Sequence, residues 1–307
     1  MSRTKRQSAS KHNTKAKNTR KNKGATKSHP ISCSPQENPN SFSCYTNNNL
    51  LYMRKMWNEK HPSQYVKTLN PKKIWFFFKR KYETSCNRES CWIKHIATQH
   101  QSEKELAAAF APKSPDSWKK NPNEWLSNFD IQKVMKQYEK RYKCFEFIGP
   151  SPIDFDTVLQ DGKCVWVNLC KFSVQEQLNK NKKKIGFIFN TDTHDKGGSH
   201  WVSLFINLRT GKIFFFDSVG TRCPIQIKEF VKRVIGQGKR LDSPIHFTFD
   251  ENHPVSHQKS NTECGMYSLY FIIHMLEDKV TSKYLKTHRI PDRYITQFRK
   301  IYYNPDL

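Results

Sequence analysis

The sequence has 307 residues, 36% of them hydrophobic and 13% aromatic, and a formal net charge of +26. It is long enough for one large domain or two modest ones with a sizeable core, and its charge draws anionic partners such as nucleic acid. No apolar run reaches the about eighteen residues of a membrane helix and no secretory leader pattern opens the chain, so a soluble protein made in a reducing compartment is expected.

Residues 1–29 carry ten Lys/Arg, no Asp or Glu and almost nothing apolar. Such a segment cannot bury enough surface to offset its conformational entropy, so it is expected to be a disordered basic tail, open to non-specific contact with nucleic acid. The remainder still carries about +16. Residues 30–49, rich in Pro, Ser and Asn, are expected to be a linker. Residues 50–145 predict a mostly helical unit: "LLYMRKMWNEK", then "YVKTLNPKKIWFFFKRKYE" with a break at Pro71, then "SEKELAAAFA" with Ser102 as N-cap and Glu105 completing a capping box, then "IQKVMKQYEKRY" capped by Asp130.

From 146 to 307 the texture is α+β. "KKIGFIFNTD", "HWVSLFINL" and "KIFFFDSVG" are short runs rich in β-branched and aromatic residues, with a hairpin turn at "NLRTGK". "PIQIKEFVKRVIG" predicts a helix opened by Pro224 and closed by Gly236. "PIHFTFD" predicts a further strand, and helices are expected from Cys264 to Glu277 and in "PDRYITQFRKIYY".

Four polar residues in this part fit one reaction. Cys264 stands where a polar loop meets the apolar run "CGMYSLYFIIHML", and a helix N-terminus stabilises a thiolate, the form that attacks a carbonyl. His200 follows a Gly-Gly-Ser loop at the mouth of a strand and could serve as base, with Asp217 at the end of the facing strand to orient it. Gln258 and the backbone N–H of Cys264 could bind a developing oxyanion. Singly, each signal is weak: a lone cysteine is more often apolar filler, and Asp217 could simply open a turn. The nine cysteines, an odd number without dense spacing, do not read as a disulfide framework and leave at least one thiol free.

The segments "SHWV", "FFFDS" and "HQKSNTECGMYSLY" resemble the cysteine proteases of the adenovirus-protease and SUMO-protease clan, and most of all the polyprotein-processing proteases of the African swine fever virus type in large DNA viruses. "CNRESCWIKH" and "NEWLSNFDIQKVMKQYEKRY" are similar to parts of the helical arm domain of those enzymes. The resemblance implies a papain-like, SUMO-protease-like catalytic core behind an arm domain. It makes Cys264 the nucleophile, His200 the general base, Asp217 the orienting residue and Gln258 the oxyanion donor, with no cofactor. Asp217 departs from the asparagine of the swine fever enzyme and matches the aspartate of SUMO proteases.

By the same resemblance the substrate is a viral structural polyprotein cut after Gly-Gly, in the virion or the viral factory of the host cytoplasm. Trp201 is then the indole that roofs a tunnel too narrow for a Cβ; otherwise it is an inward-facing strand residue of the core. Four rivals stand beside this reading, one of them an enzyme of the same clan that transfers acetyl groups. Cys86, Cys91 and His95, with His100 nearby, approach zinc-ligand spacing without four evident ligands, and a cysteine pair is the expected alternative. An isopeptidase removing SUMO or ubiquitin from host conjugates would use the same residues. A protease fold without activity, acting as a basic nucleic-acid-binding virion protein, would use none of them.

Overall fold

The computed structural model describes residues 32–35, 42–97 and 99–307. The expected basic tail lies outside these residues.

The strands "KIGFIFN", "WVSLFIN" and "KIFFF" are apolar almost throughout, because both faces of their sheet are covered. Five strands, β1 (Phe145–Pro152), β2 (Lys184–Asn190), β3 (Trp201–Asn207), β4 (Lys212–Phe216) and β5 (Thr248–Glu251), lie side by side in chain order. The pairs β1–β2 and β4–β5 are parallel, whereas β2–β3 and β3–β4 are antiparallel. Along β3 the side chains alternate: Trp201 and Phe205 enter one core, while Val202, Leu204 and Ile206 enter the other.

Helices α1 (Asn47–Lys60), α2 (Pro71–Lys81), α3 (Ile93–Ile96) and α4 (His100–Ala107) precede the sheet and form the arm, with their own core around Tyr45, Trp57, Phe78, Trp92 and Phe110. Pro71 sits in the first turn of α2, where its missing N–H leaves no bond unmade. Next come α5 (Asn128–Arg141) before β1, then α6 (Val167–Cys170) and α7 (Val174–Asn179) before β2. After β4 follow α8 (Ile225–Lys239), α9 (Cys264–Leu276), α10 (Ser282–Thr287), α11 (Asp292–Ile295) and α12 (Arg299–Tyr302). The apolar run of α9 is buried on all sides, as an all-round hydrophobic helix must be, against the same face of the sheet as α5. On the opposite face α8 packs through Ile227, Phe230, Val231 and Val234.

Several expectations change. Residues 30–49 are not a linker throughout: Ser43, Cys44 and Tyr45 are buried, Tyr45 anchors the arm core, and Thr46 caps α1. By packing, α5 belongs with the sheet, through Ile131, Val134 and Met135, so the change of core falls between Phe110 and Leu126 and not at 145. Ser102 and Asp130 sit at the third helical position rather than at the caps. Ser102 Oγ accepts from the N–H of Gln99, and Asp130 exchanges hydrogen bonds with the true cap, Ser127. Helix α8 runs past Gly236 to Lys239. Gly238 lies inside it because a Cβ there would stand 2.5 Å from the Phe247 ring. The expected helix near the C-terminus is broken into α11, a 3₁₀ turn and α12.

The absence of a disulfide framework is also corrected. Cys33–Cys44, Cys86–Cys91 and Cys164–Cys170 are bonded across sequence separations of 11, 5 and 6, and Cys144, Cys223 and Cys264 are free. Pairs this local leave no signature in overall cysteine spacing. No helix among the described residues is long and apolar enough to cross a membrane.

Candidate active site

Three elements end at one place. Cys264 is the first residue of α9, 2% exposed, and His200 immediately precedes β3. Asp217 immediately follows β4 and is fully buried. Because β3 and β4 pair antiparallel, with Ser203 opposite Phe216, the start of one strand and the end of the other bring His200 and Asp217 together. His200 Nε2 lies 2.6 Å from Asp217 Oδ1, and Cys264 stands close enough to the ring to raise its pKa.

Asp217 is saturated with donors. Oδ1 accepts from the N–H of Val219 at 3.1 Å as well as from His200, and Oδ2 accepts from the N–H and the hydroxyl of Thr221. Burial alone would raise its pKa, but these bonds and the imidazolium hold it below the usual carboxylate range. For His200, burial opposes the charged ring, yet the bond to Asp217, the nearness of Cys264 and the carboxylate charge outweigh it and push the pKa up to about 9. With the folded value above the usual ~6.5, this contribution to stability is full below about pH 6.5 and is lost as pH rises through about 9.

Asn252, fully buried, was missed by sequence reasoning. Its Oδ1 accepts from the N–H of Asp217 at 2.8 Å while its Nδ2 donates to the Asp217 and Val255 carbonyls, so one carboxamide clamps the main chain of Asp217. It stands 35 residues away, with no local pattern to mark it. In the same turn Gly220 takes φ +78°, and a Cβ there would lie 2.7 Å from the Val255 carbonyl.

Gln258 is buried beside this turn. Its Oε1 accepts from Ser218 Oγ at 2.7 Å and its Nε2 donates to the Ser260 carbonyl at 2.7 Å, leaving the second amide hydrogen for another acceptor. The backbone N–H groups of His257 and Gln258 both donate to the Ser218 carbonyl, so the loop before Cys264 is tied to the residue after Asp217. Asp292, also unforeseen, grips the same loop by accepting from the N–H groups of Lys259 and Ser260 and from Tyr267 Oη. His257 does not join the constellation: it is buried, accepts from the N–H of Ile290, and burial pushes its pKa down to about 4.

Trp201 lies in the core, 8% exposed, its Nε1 donating to the Leu126 carbonyl, and it also lines a cleft of about 590 Å³. It is therefore an inward-facing residue of the core that also borders the cleft. The cleft contains His200 and is bordered by Trp125, Leu126, Trp166, His194 and Gly198. A separate cavity of about 440 Å³ in the arm, around Trp75, Arg88 and Glu89, shares none of these residues.

The metal alternative is only partly assembled. Ligand atoms of Cys86, Cys91 and His95 fall within 4.8 Å of one another, but the two sulfurs are joined and carry no thiolate charge. His100 stands apart, exposed and 3.8 Å from Glu103.

Residues 122–306 match the family model of the Ulp1 protease family, C-terminal catalytic domain. The "Putative thiol protease" of Acanthamoeba polyphaga mimivirus is 30% identical over 223 residues, 69% of this chain and 70% of the relative. The cysteine protease of African swine fever virus (isolate Tick/Malawi/Lil 20-1/1983) is 28% identical over 245 residues, covering 74% and 86%. The crystal structure of the African swine fever virus protease superposes with a TM-score of 0.65 at 22% identity, covering 90% of this chain and 96% of that one.

Proposed function

Since the chain belongs to the Ulp1 protease family and is a cysteine protease, we propose that it cleaves after Gly-Gly in viral structural polyproteins during particle maturation. Cys264 is the nucleophile, His200 the general base, Asp217 the orienting carboxylate and Gln258 an oxyanion donor. The observation that supports this most is the 2.6 Å His200–Asp217 bond, formed where β3 begins and β4 ends, with Cys264 near enough to the ring to raise its pKa.

The reaction follows from those groups. The Cys264 proton resides on His200 in the reactive ion pair, Asp217 stabilises that imidazolium, and the Cys264 Sγ thiolate bonds to the scissile carbonyl carbon. Oxygen takes up the negative charge, bound by the Gln258 amide and the Cys264 N–H. The C–N bond breaks and His200 returns the proton to the departing amine, leaving a thioester. His200 then deprotonates water, which attacks the thioester and releases the acid and the thiol. Trp201 walls the cleft beside His200, and in this reading its indole excludes a Cβ from the substrate segment that passes it. Work inside the virion or the viral factory would bring the ten cations of residues 1–29 near the genome.

The test uses a peptide carrying Gly-Gly before the scissile bond, the same peptide with either glycine changed to alanine, and fluorogenic SUMO and ubiquitin conjugates. Hydrolysis of the parent peptide is expected, with about a hundredfold lower kcat/KM for each alanine version, equivalent to ~2.7 kcal/mol of excluded methyl. Equal cleavage of all three peptides would overturn the Gly-Gly assignment. Conjugate turnover far above peptide turnover would point instead to the isopeptidase.

Asp217→Asn tests the orienting role. Removing the carboxylate charge removes support for the imidazolium, so the alkaline limb of the kcat/KM profile, expected near pH 9 for the parent, should move at least a unit toward acid. An unmoved limb would show that Asp217 does not govern His200.

A further inference from the structure

Helix α2, "PKKIWFFFKRK", has its own surface character. From Lys60 to Tyr82 the chain carries seven Lys/Arg and no Asp or Glu, bracketed by Glu59 and Glu83. Ile74 and Phe78 turn inward to the arm core, while Trp75 and Phe77 are half-buried. The opposite face shows Lys72, Lys73, Phe76, Lys79 and Arg80, while Lys81 ends the helix on the side of Phe78, all of them exposed and Phe76 at 45%.

Spacing sets these groups together. Lys73, Phe76 and Arg80 stand at i, i+3 and i+7 on one stripe about 10 Å long, so a phenyl ring lies between two cations. With Phe77 and Lys81 they line an open depression of about 640 Å³. Among the described residues none of these cations is paired with a carboxylate. Lys79 lies 5.0 Å from the Trp75 ring, and Lys81 bonds the Gln64 amide and lies 5.4 Å from Trp57.

We propose that this face of α2 binds single-stranded nucleic acid, its cations tracking the phosphates and Phe76 stacking on a base. Unpaired cations held in a row on a folded helix, with no acid among them, match a polyanion's charge. The exposed ring adds what a duplex does not require, an aromatic platform for an unpaired base. A lipid surface would call for a continuous apolar stripe, whereas the apolar stripe of α2 is spent on the arm core and Phe76 sits among charges. The site is independent of the peptidase chemistry and of residues 1–29.

Fluorescence anisotropy of the full-length protein with a labelled oligothymidylate of about 20 nucleotides tests it, with peptide hydrolysis as the check on folding. Phe76→Ala should weaken binding about 5- to 150-fold with an unchanged salt slope and unchanged binding to duplex of the same length. Lys73→Glu with Arg80→Glu should weaken both and lower the slope of log K against log salt by about 1.4 for the single strand. Parental affinity in both variants would overturn the proposal and leave binding to cations elsewhere. Loss of binding to phosphatidylserine vesicles on Phe76→Ala, with oligonucleotide affinity intact, would overturn it in favour of a membrane surface.

Discussion

Cys264→Ala and His200→Ala are each expected to lower kcat on a Gly-Gly peptide by about 10⁴-fold or more, and the double variant should lose no more than either single one. The non-additivity is the sharper part. Sulfur forms the bond and imidazole moves the proton, so once either is gone the other has no task, and only oxyanion binding and substrate positioning persist. Cys264 is 2% exposed at the start of a helix buried on all sides, so Cys264→Ser, nearly isosteric, should fold like the parent and fail alike. Losses that multiply in the double variant would mean that the two side chains act separately. Retention of more than about 1% of kcat by Cys264→Ala would remove the cysteine mechanism altogether.

The candidate site was legible where chemistry coincides with an element boundary. His200 opens a strand, Asp217 closes one and Cys264 opens a helix, and the surrounding apolar runs mark all three edges. What supports these groups was not legible, because its partners are distant in the chain. Asn252 reaches Asp217 across 35 residues, and Asp292 reaches Ser260 across 32. Strand β1 escaped notice because Gly149, Pro150 and Pro152 interrupt its pattern, which an edge strand tolerates. The helix starts at Ser127 and Gln99 were displaced by three residues for a related reason. Reciprocal capping places a polar residue at both the cap and the third helical position, and composition alone does not say which is outside.

Sequence reasoning also assigned "NEWLSNFDIQKVMKQYEKRY" to the arm, whereas its packing serves the site. Trp125 Nε1 donates to the Asn261 carbonyl at 2.8 Å, and Leu126 both accepts from Trp201 and lies against Gly265. A Cβ on Gly265 would come 3.0 Å from Leu126 Cβ, so glycine after Cys264 lets this segment close over the start of α9. The segment that bridges the two cores thus also borders the cleft.

The same junction carries the largest expected stability effect. Glu263, 1% exposed, directly precedes Cys264, and its carboxylate receives Arg299 Nε at 3.1 and 3.2 Å. Arg299 also donates Nη2 to the Glu124 carbonyl at 2.8 Å and lies 4.5 Å from the Trp118 ring. One guanidinium therefore joins α12, the start of α9 and the segment bridging the cores. Arg299→Met keeps much of the apolar stem but strands a buried carboxylate, which should destabilise the fold by about 3–5 kcal/mol in urea unfolding. Glu263→Gln combined with Arg299→Met removes the uncompensated charge and should recover part of that loss, because the penalty resides in the unpaired ion rather than in lost attraction. A change below about 1 kcal/mol for Arg299→Met would show the pair to be no more than a surface ion pair in effect. Loss of stability in the double variant equal to the sum of the singles would show that the two residues act through separate contacts, with no shared role in fixing the first turn of α9.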